Sequence, residues 1–516
     1  MSKTELPELS CSRIVELIQD KLPALFFVFS RGRTEILAQD LSREWDFLDP
    51  EEKSDARKII NAAESEYPGT FSGPGWHILK RLLYQGIAYH HAGMLPPVKY
   101  LVENLYSKRL IFVVFCTETF AAGVNFPAAS AIFDSTRKWD GHDFRILQNR
   151  EFYQMAGRAG RRGFDQVGHA VIRIDSRFPE QTGFFDEKFV EPVSGRLIIS
   201  PNTVLSLLRY KSDTEIGRFL NDNFKTFQTR KREKELADQI KLSKELIVEL
   251  TSSLCRDTLT LKCPIERARA HRRLKHSRRR GGNKEKELLK RQLASFTPRK
   301  CRETDKCRSN AEKLNKLKIH INLLYQEYKS VTEQVDSTFR EYGEVRDILE
   351  NLGYVKNREF FPRGLFALEL HVQEIFVTEL AFSGIIEDAD PAEVAAVLAG
   401  VEFVPGKNTR ATWLDIPALR EASQIRWELL SMGVPERFCV WSDLPGALAY
   451  AWYNGASFNE LLEMSTFQPG DVFSIFRREI DLLRQIERAA GDNLSIAERV
   501  RAIRGRLDRE EVALCF

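Results

Sequence analysis

The stretch "QMAGRAGRRG" at residues 154–163 holds the residues whose types and spacing are best suited to chemistry. Arg158 and Arg161 are three positions apart, so within a helical turn their side chains would share one face. Gly157 and Gly160 leave room for the backbone to approach a ligand closely. Two guanidinium groups beside accessible backbone suit a polyphosphate, and an arginine directed at a transferring phosphoryl group stabilises charge in the transition state. For an isolated pair of arginines a solvated turn is the plainer interpretation, so the rest of the chain must supply further parts of such a pocket.

The composition is that of a large, ordinary protein without a strong overall charge. With 516 residues, the chain is long enough for several domains with substantial cores. Because the formal net charge is only +4, any binding of nucleic acid must depend on where the basic residues cluster. The sequence contains no apolar run of the length that a membrane-spanning helix needs, and no secretory signal. The eight cysteines are unevenly spaced and favour a reducing compartment, so we expect a cytoplasmic protein with no membrane partner.

Residues 1–190 alternate strand-like and helix-like patterns. The strand-like runs are apolar, β-branched and aromatic, and lie at residues 24–30, 110–117, 130–136 and 169–175. Amphipathic stretches separate them, which predicts an α/β domain with a parallel sheet and helices on both faces. Residues 45–58 and 65–76 predict an excursion on the surface of that domain, because the second stretch is rich in turn-forming residues.

From about residue 195 the pattern becomes helical, and one segment is strongly basic. That segment, "RARAHRRLKHSRRRGGNKEKELLKRQ", covers residues 267–292. After it, apolar residues from Leu314 to Val335 repeat at alternating spacings of three and four, which predicts a coiled coil. The preceding helix carries Leu236 and Ile240 and is the natural antiparallel partner. We therefore expect a two-helix stalk with a basic tip; a binding tip and an exposed charged helix pair with no binding role explain the pattern equally well.

Several stretches, in this order along the chain, resemble the motifs of superfamily 2 helicases. "FFVFSRGRTEILAQDLS" (26–42) resembles the motif IV region, and "AYHHAGMLPPVK" (88–99) resembles the segment that follows it. "FCTETFAAGVNFPA" (115–128) resembles motif V, and "QMAGRAGRRG" resembles motif VI. "RKWDGHDFR" (137–145) narrows the resemblance to the superkiller-type DExH-box RNA helicases, and "LGYV", "TELAFSG" and "WYNGASF" in the C-terminal half agree with it.

The resemblance implies an order of domains. A second RecA-like helicase domain would occupy residues 1–190, and a winged-helix-like domain would be formed by residues 191–230 and 336–371. The basic coiled-coil stalk would be inserted at residues 231–335. A C-terminal helical domain, folded as a helical bundle, would occupy residues 372–516. The implied fold class is therefore an α/β RecA-like domain followed by a mostly α-helical region.

The resemblance also assigns roles to individual residues. The catalytic positions would be Gln154, Arg158 and Arg161, with the two arginines contacting phosphate. Four further positions would bind the nucleotide, namely Gly123, Asn125, Gly157 and Gly160. Contacts to a single RNA strand would come from Ser30, Arg31, His91, Gly93 and Thr117. No resident metal site is expected.

The sequence lacks the other wall of such a nucleotide pocket. It contains no G-x-x-x-x-G-K-[ST] motif, and "GVEFVPGKN" (400–408) has one residue too many and Asn408 in place of a hydroxyl. The resemblance therefore implies that ATP and Mg²⁺ are shared with a first RecA-like domain, supplied in trans or within a longer product. We expect the C-terminal half of an ATP-dependent RNA helicase of RNA processing or decay, inactive as an isolated chain. A non-enzymatic RNA-binding adaptor and an inert truncated remnant stay open as alternatives.

The segment at residues 362–370 departs from the family pattern, and the cysteines near the basic tip depart from the pattern of a zinc site. In "PRGLFALEL" (362–370), expected as a strand, Arg363 can replace one basic residue of the family, but Leu365 cannot replace another. Cysteines 255, 263, 301 and 307 flank the basic tip, with seven and five residues between the members of each pair. Neither spacing matches the short C-x₂₋₄-C pairs of zinc sites, so we favour thiols over a metal site.

Overall fold

The computed structural model describes residues 9–73, 75–120, 127–161, 165–174, 190–255, 260–276, 283–295 and 304–514. The chain forms two compact units. The first combines Met1–Val193 with Ile348–Phe516, and the second is Ser194–Asp347.

A parallel sheet of five strands is the framework of the first unit. Its strands, together with a short hairpin, are β1 (Ala24–Phe27), β2 (Ile87–His90), β3 (Val113–Cys116), β4 (Ser130–Phe133), β5 (Arg137–Trp139), β6 (Phe144–Ile146) and β7 (His169–Ile172). The strand order in the sheet is β2–β3–β1–β4–β7, and every neighbouring pair is parallel. Strands β5 and β6 form a separate antiparallel pair. The expected parallel sheet is confirmed, and β2 is a strand that the sequence patterns did not predict.

Helices alternate with these strands along the chain. They are α1 (Cys11–Leu17), α2 (Arg31–Leu41), α3 (Pro50–Glu66), α4 (Trp76–Leu83), α5 (Pro96–Ser107) and α6 (Asn149–Ala156). Every residue of β1, β2, β3 and β4 is buried, as expected for parallel strands covered by other elements, whereas the edge strand β7 is only partly buried. Across the sheet, Phe26 stacks on Phe115 with 4.9 Å between ring centroids. Large side chains therefore fill the core around the sheet, and this packing holds the strands and their ends in place.

The expected surface excursion is in part a core element. Asp49 and Glu52 form a capping box at the start of α3, and Pro50 occupies its first turn. Ala56 and Ile60 on this helix are fully buried in the same core as the sheet. The prediction of an excursion on the surface was therefore wrong for α3, because turn residues on either side concealed a short apolar stripe.

The second unit is helical. Its helices are α7 (Pro201–Tyr210), α8 (Asp213–Asn221), α9 (Phe224–Ser252), α10 (Pro264–His276), α11 (Asn283–Ser295) and α12 (Thr304–Val335), and α13 (Ser337–Asn351) runs into the first unit. The long helices α9 and α12 pair through a seam of four buried residues, Leu236, Ile240, Ile321 and Leu324. Arg232 contacts Glu327 at one end and Ser253 contacts Asn310 at the other, so the pair is antiparallel. The expected helix pair is confirmed.

The rest of the first unit is almost entirely helical. Two short strands, β8 (Val355–Lys356) and β9 (Glu359–Phe360), form a hairpin. The helices after it are α14 (Pro362–Leu368), α15 (Glu374–Phe382), α16 (Ile385–Asp388), α17 (Pro391–Ala399), α18 (Pro417–Ser431), α19 (Gly446–Tyr453), α20 (Phe458–Glu463), α21 (Pro469–Ala489), α22 (Leu494–Leu507) and α23 (Glu510–Ala513). The strand expected in "PRGLFALEL" was wrong, because Pro362 starts helix α14 there. Arg363 on this helix pairs with Glu379, 3.1 Å away.

Candidate functional site

The sequence-predicted site residues lie at opposite ends of the parallel sheet. Ser30, His91 and Thr117 follow β1, β2 and β3, at the carboxyl ends of those strands. The segment from Arg158 to Arg161 pairs instead with Ala128, which precedes β4 at its amino end. The predicted RNA-contacting and phosphate-contacting residues are therefore separated by the length of the strands. The motif V segment connects the two ends, and its Gly123 and Asn125 lie outside the described residues.

Backbone hydrogen bonds fix the arginine segment. The N–H of Ala128 donates to the carbonyl of Arg158 at 2.9 Å, and the N–H of Gly160 donates to the carbonyl of Ala128 at 2.7 Å. Gly160 has a φ of +98°, a conformation that glycine adopts readily, and a Cβ there would lie 3.3 Å from the Cα of Gly168. Glycine at position 160 is thus required by the local backbone.

This geometry corrects one expectation from the sequence. Helix α6 ends at Ala156 with Gly157 as its C-cap, and Gly160 then turns the chain away from helical geometry. Arg158 and Arg161 therefore do not share the face of a helical turn. They belong to a tight loop of residues 157–161, here termed the arginine loop, which the backbone bonds to Ala128 hold in place.

Arg161 is held by a carboxylate that the sequence analysis did not single out. Its Nε and Nη2 donate to the two oxygens of Asp165, both at 2.8 Å, and its backbone N–H donates to the same carboxylate at 2.8 Å. These three hydrogen bonds, chiefly the two from the guanidinium, lower the pKa of Asp165 to about 2. Asp165 in turn raises the pKa of Arg161. Arg161 therefore stays charged, and Asp165 sets its orientation.

The other residues of this stretch differ in exposure. Gln154 and Gly157 are exposed, while Arg158 and Gly160 are half-buried. Arg161 is also only partly exposed. These side chains lie at the surface of the first unit, so a ligand that approaches this surface could reach them.

A second ion-pair cluster joins the β5–β6 hairpin to α6. Arg145 contacts Glu151 at 2.7 Å and Lys138 contacts the same carboxylate at 2.9 Å. Burial raises the pKa of Glu151, but hydrogen bonds from Arg145, from the backbone N–H of Gln148 and from Lys138 lower it to about 2. The hairpin thus stabilises the helix that leads into the arginine loop.

At the opposite end of the sheet, Arg31 contacts a C-terminal helix. Its Nη1 donates to Asp471 at 2.8 Å and to Gln468 at 3.1 Å. Asp471 lies in the first turn of α21, and Gln468 is the N-cap of that helix. Ser30, by contrast, is exposed at the start of α2, and Thr117 is half-buried and shares a hydrogen bond of 2.9 Å with Thr119. The side chain of Arg31 therefore contacts a part of the chain that is distant in sequence, whereas the hydrogen bond of Thr117 is local.

His91 is a buried residue. Only 2% of it is exposed, its ring stacks on Tyr89, and its Nε2 lies 3.0 Å from Glu35. Its Nδ1 accepts a hydrogen bond from the N–H of Gly93 at 3.1 Å. Since Nδ1 is an acceptor, Nε2 carries the proton and donates to Glu35. The side chain of His91 therefore shapes its own loop, and burial keeps it from the surface where an RNA contact was expected.

Gly93 meets Gly470 backbone to backbone. The N–H of Gly470 donates to the carbonyl of Gly93 at 2.9 Å. A Cβ on Gly470 would lie 2.4 Å from the carbonyl oxygen of Ala92, and a Cβ on Gly93 would lie 1.8 Å from Oε1 of Gln468. Both polar backbone groups of Gly93 are thus bonded within the protein, and two glycines allow the close approach.

The sequence contains weak signals for the residues that were missed. Asp165 follows Arg161 by four positions, which is an ordinary spacing for a local ion pair. Asp471 follows a Pro-Gly pair that marks the start of a helix.

Among the residues that the structure describes, no group of three or more His, Cys, Asp or Glu side chains could hold a metal ion. Cys263 is buried and Cys255 exposed, and Cys301 lies outside the described residues. No helix in the described part of the chain is long and apolar enough to cross a membrane.

Two family models match the chain. The model described as "Helicase conserved C-terminal domain" matches residues 47–163, which include the arginine loop. The model described as "DSHCT (NUC185) domain" matches residues 357–514, which include helix α21. The two models therefore cover the sheet-containing part and the C-terminal helices of the first unit.

Curated relatives agree with these matches. The chain is similar to "Superkiller complex protein 2" of Mus musculus, with 36% identity over 228 residues, 43% of this chain and 18% of the relative. It is also similar to "Exosome RNA helicase MTR4" of Homo sapiens, with 33% identity over 237 residues, 45% of this chain and 23% of the relative. "DExH-box ATP-dependent RNA helicase DExH11" of Arabidopsis thaliana is 43% identical over 162 residues, 31% of this chain and 12% of the relative. The aligned stretches thus span less than a quarter of each relative. The two domain matches and these relatives together support the C-terminal half of a superkiller-type DExH-box helicase of superfamily 2.

Proposed function

We propose that this chain supplies the second RecA-like lobe and the helical region of an ATP-dependent RNA helicase of RNA processing or decay. The observation that carries the proposal is the arginine loop, in which backbone bonds to Ala128 and the carboxylate of Asp165 hold Arg161 in place. A guanidinium that is fixed in advance stabilises phosphate charge without reorganising during the reaction. The matched relatives are named as RNA helicases, which supports RNA as the substrate.

The residues of the loop fit the phosphates of ATP. Arg158 and Arg161 provide positive charge, Gly160 lets backbone approach closely, and Gln154 is an exposed hydrogen-bonding group beside them. ATP, when bound, would supply the free energy of γ-phosphate hydrolysis. Within the described residues no cluster of carboxylates is suited to Mg²⁺, so in this proposal the metal ligands belong to a first RecA-like domain, in a longer polypeptide or a separate chain.

For the carboxyl end of the sheet we propose two roles. Ser30 and Thr117 would contact the backbone of an RNA strand, because their hydroxyl groups lie at the ends of β1 and β3 and are at least partly exposed. Arg31, His91 and Gly93 would act indirectly, because their contacts hold the same loops against α21. Gly123 and Asn125 would contribute to the nucleotide site.

The proposal also includes the domain order and the cellular setting. Residues 191–230 and 336–371 would form a winged-helix-like domain that carries the stalk at residues 231–335. Residues 372–516 would form a helical bundle beside the second RecA-like lobe at residues 1–190. Buried thiols such as Cys116 and Cys439 suit a cytoplasmic protein.

An ATPase assay of reconstituted lobes tests this function. Purified alone, the chain should show no RNA-stimulated ATP hydrolysis. Adding a first RecA-like domain of a superkiller-type helicase should restore it. In that mixture Arg161→Ala should lower kcat by about a thousandfold, the range typical of an arginine that contacts a transferring phosphoryl group. RNA affinity, measured by fluorescence anisotropy, should change by less than about twofold.

The matched control is Arg43→Ala. Arg43 is an exposed arginine in the turn after α2, and it pairs with Asp40 in the last turn of that helix, three positions earlier. Its replacement should leave kcat unchanged. Strong RNA-stimulated hydrolysis by the chain alone would contradict the shared nucleotide pocket. RNA binding without any hydrolysis in the mixture would favour the adaptor alternative instead.

A further inference from the structure

An exposed pair of aromatic rings lies at the base of the helical stalk, wholly within the second unit. Phe224 and Phe227 begin helix α9, with 53% and 62% of their surfaces exposed. Their rings lie 6.5 Å apart between centroids, with planes only 14° from parallel. Two neighbouring, nearly parallel aromatic faces open to solvent need a reason, because large exposed apolar side chains favour association.

The aromatic pair is not part of the seam of the helix pair. Phe227 precedes the buried Leu236 by about two and a half helical turns, so the two side chains point to opposite sides of α9. Leu236 and Ile240 already bury the other side against α12. Packing within the stalk therefore does not explain why the rings are aromatic.

Basic residues continue the same side of the helix. Arg230, Lys231 and Lys234 follow Phe227 by one to two turns, and all three are exposed. Together with the two rings they line a wide, open cavity of about 730 Å³. Its remaining lining residues are Asn221, Asp222 and Asn223, so three cations face a single carboxylate. The surface is thus aromatic and positively charged at once.

We propose that this surface, formed by Phe224, Phe227, Arg230, Lys231 and Lys234 and here termed the aromatic–basic patch, binds single-stranded RNA. Ring faces stack on bases of any sequence, and neighbouring lysine and arginine side chains meet the phosphates between them. The excess of positive charge favours a polyanion over an apolar protein segment. This inference rests on the proposed function, because it takes RNA as the substrate, and it adds a contact on the stalk base to those on the RecA-like lobe.

A binding experiment with the full chain tests the patch through two ligands. One is an oligouridylate of about 12 nucleotides, and the other is an abasic ribose-phosphate oligomer of the same length. Phe224→Ala/Phe227→Ala should weaken binding of the oligouridylate about tenfold or more, since stacking on each ring contributes strongly. Binding of the abasic oligomer should change by less than about twofold, because it has no bases to stack.

Two further variants separate stacking from charge and from folding. Lys231→Gln/Lys234→Gln should lower the slope of log affinity against log salt by about one to two for both ligands. Phe224→Tyr/Phe227→Tyr should bind as the wild type does, because it keeps both ring faces. The matched control, Trp413→Ala/Trp427→Ala, removes two exposed aromatic residues from the first unit and should change neither affinity.

Each contrary result has a separate meaning. If the wild type binds oligouridylate and the phenylalanine variant binds it equally well, the patch is refuted and the proposed function stands. An equal loss on the abasic oligomer would also refute base stacking at this surface. If the wild type binds neither ligand, both the patch and the proposed RNA substrate are refuted.

Discussion

Single charged residues decide where the candidate catalytic groups point. The types of residue at positions 158 and 161 could be predicted from the sequence, because arginine beside glycine suits phosphate. Their geometry could not, because it depends on the φ of Gly160 and on Asp165, whose spacing of four from Arg161 is only a weak signal. Asp165 uses two guanidinium nitrogens, Nε and Nη2, so it orients Arg161 through a planar, two-point contact.

Replacing Asp165 by asparagine tests this orienting role. In Asp165→Asn the amide N–H₂ faces a donor of Arg161, so one of the two bonds is lost and the guanidinium is less fixed. In the reconstituted mixture kcat should fall about tenfold, with RNA affinity unchanged. Asp40→Asn, which removes an exposed carboxylate from the Arg43 pair, is the control. Wild-type kcat in Asp165→Asn would show that Arg161 is positioned without it.

The carboxylate of Glu151 gives a pH-dependent prediction. Because its pKa is lowered from 4.5 to about 2, it contributes stability that is fully present above about pH 4.5 and is lost as pH falls towards 2. Glu151→Gln should lower the free energy of unfolding by about 1 to 3 kcal/mol at pH 7, since hydrogen bonds to a charged group are lost. Urea titrations should show this difference shrinking below pH 4. A difference that is independent of pH would assign the effect to packing.

Elements with a repeating pattern were the most predictable part of the fold. The α9–α12 pair follows from its heptad spacing, and four of the five sheet strands follow from apolar runs. Strand β2 was missed because His90 interrupts the apolar pattern, although it is buried and bonded to Glu103. Helix α14 was missed because "PRGLFALEL" is short and apolar enough to suit either a strand or a helix. Apolar runs and heptad spacing therefore predicted the helix pair and most of the sheet, whereas β2 and α14 lacked an unambiguous pattern.

Neighbouring leucines on α12 allow a matched test of the helix pair. Leu324 is 5% exposed in the seam, while Leu323 is 58% exposed on the outer side. Leu324→Ala should destabilise the pair by about 2 to 5 kcal/mol, because it removes buried methyl groups and leaves a cavity. Hydrogen exchange in α9 and α12 should accelerate accordingly, while exchange in the parallel sheet should not. Leu323→Ala should change exchange little, and equal effects of both variants would contradict the seam.

Within the first unit, residues far apart in the chain form the contact between the sheet and the C-terminal helices. The loops at Arg31 and Gly93 meet Gln468, Gly470 and Asp471 through ion-pair and backbone hydrogen bonds. More than 370 positions separate these partners, so no local pattern could predict the contact. This contact leaves Arg31 half-exposed, and His91 and Gly93 beside it are buried, while an RNA contact at these three positions stays a prediction.

A single added methyl group should disturb this contact. Gly470→Ala would place Cβ 2.4 Å from the carbonyl oxygen of Ala92, so the backbone itself must move. The free energy of unfolding should fall by about 1 to 3 kcal/mol, as for overpacking in a core. Gly505→Ala, in the last turn of α22, where the new Cβ would meet no atom from elsewhere in the protein within 4 Å, should instead stabilise by about 0.5 to 1 kcal/mol. Similar effects of both alanines in calorimetry would contradict the close approach.

The meeting of Gly93 with Gly470 has a mechanical consequence. No side chain lies between the two backbones, so there is nothing compressible to absorb a displacement. If the lobe rotates when nucleotide is captured, the 21-residue helix Pro469–Ala489 is carried with it as a rigid lever. A rotation of about 5° at the glycines then becomes a displacement of about 2 to 3 Å at the far end of a helix that is about 30 Å long.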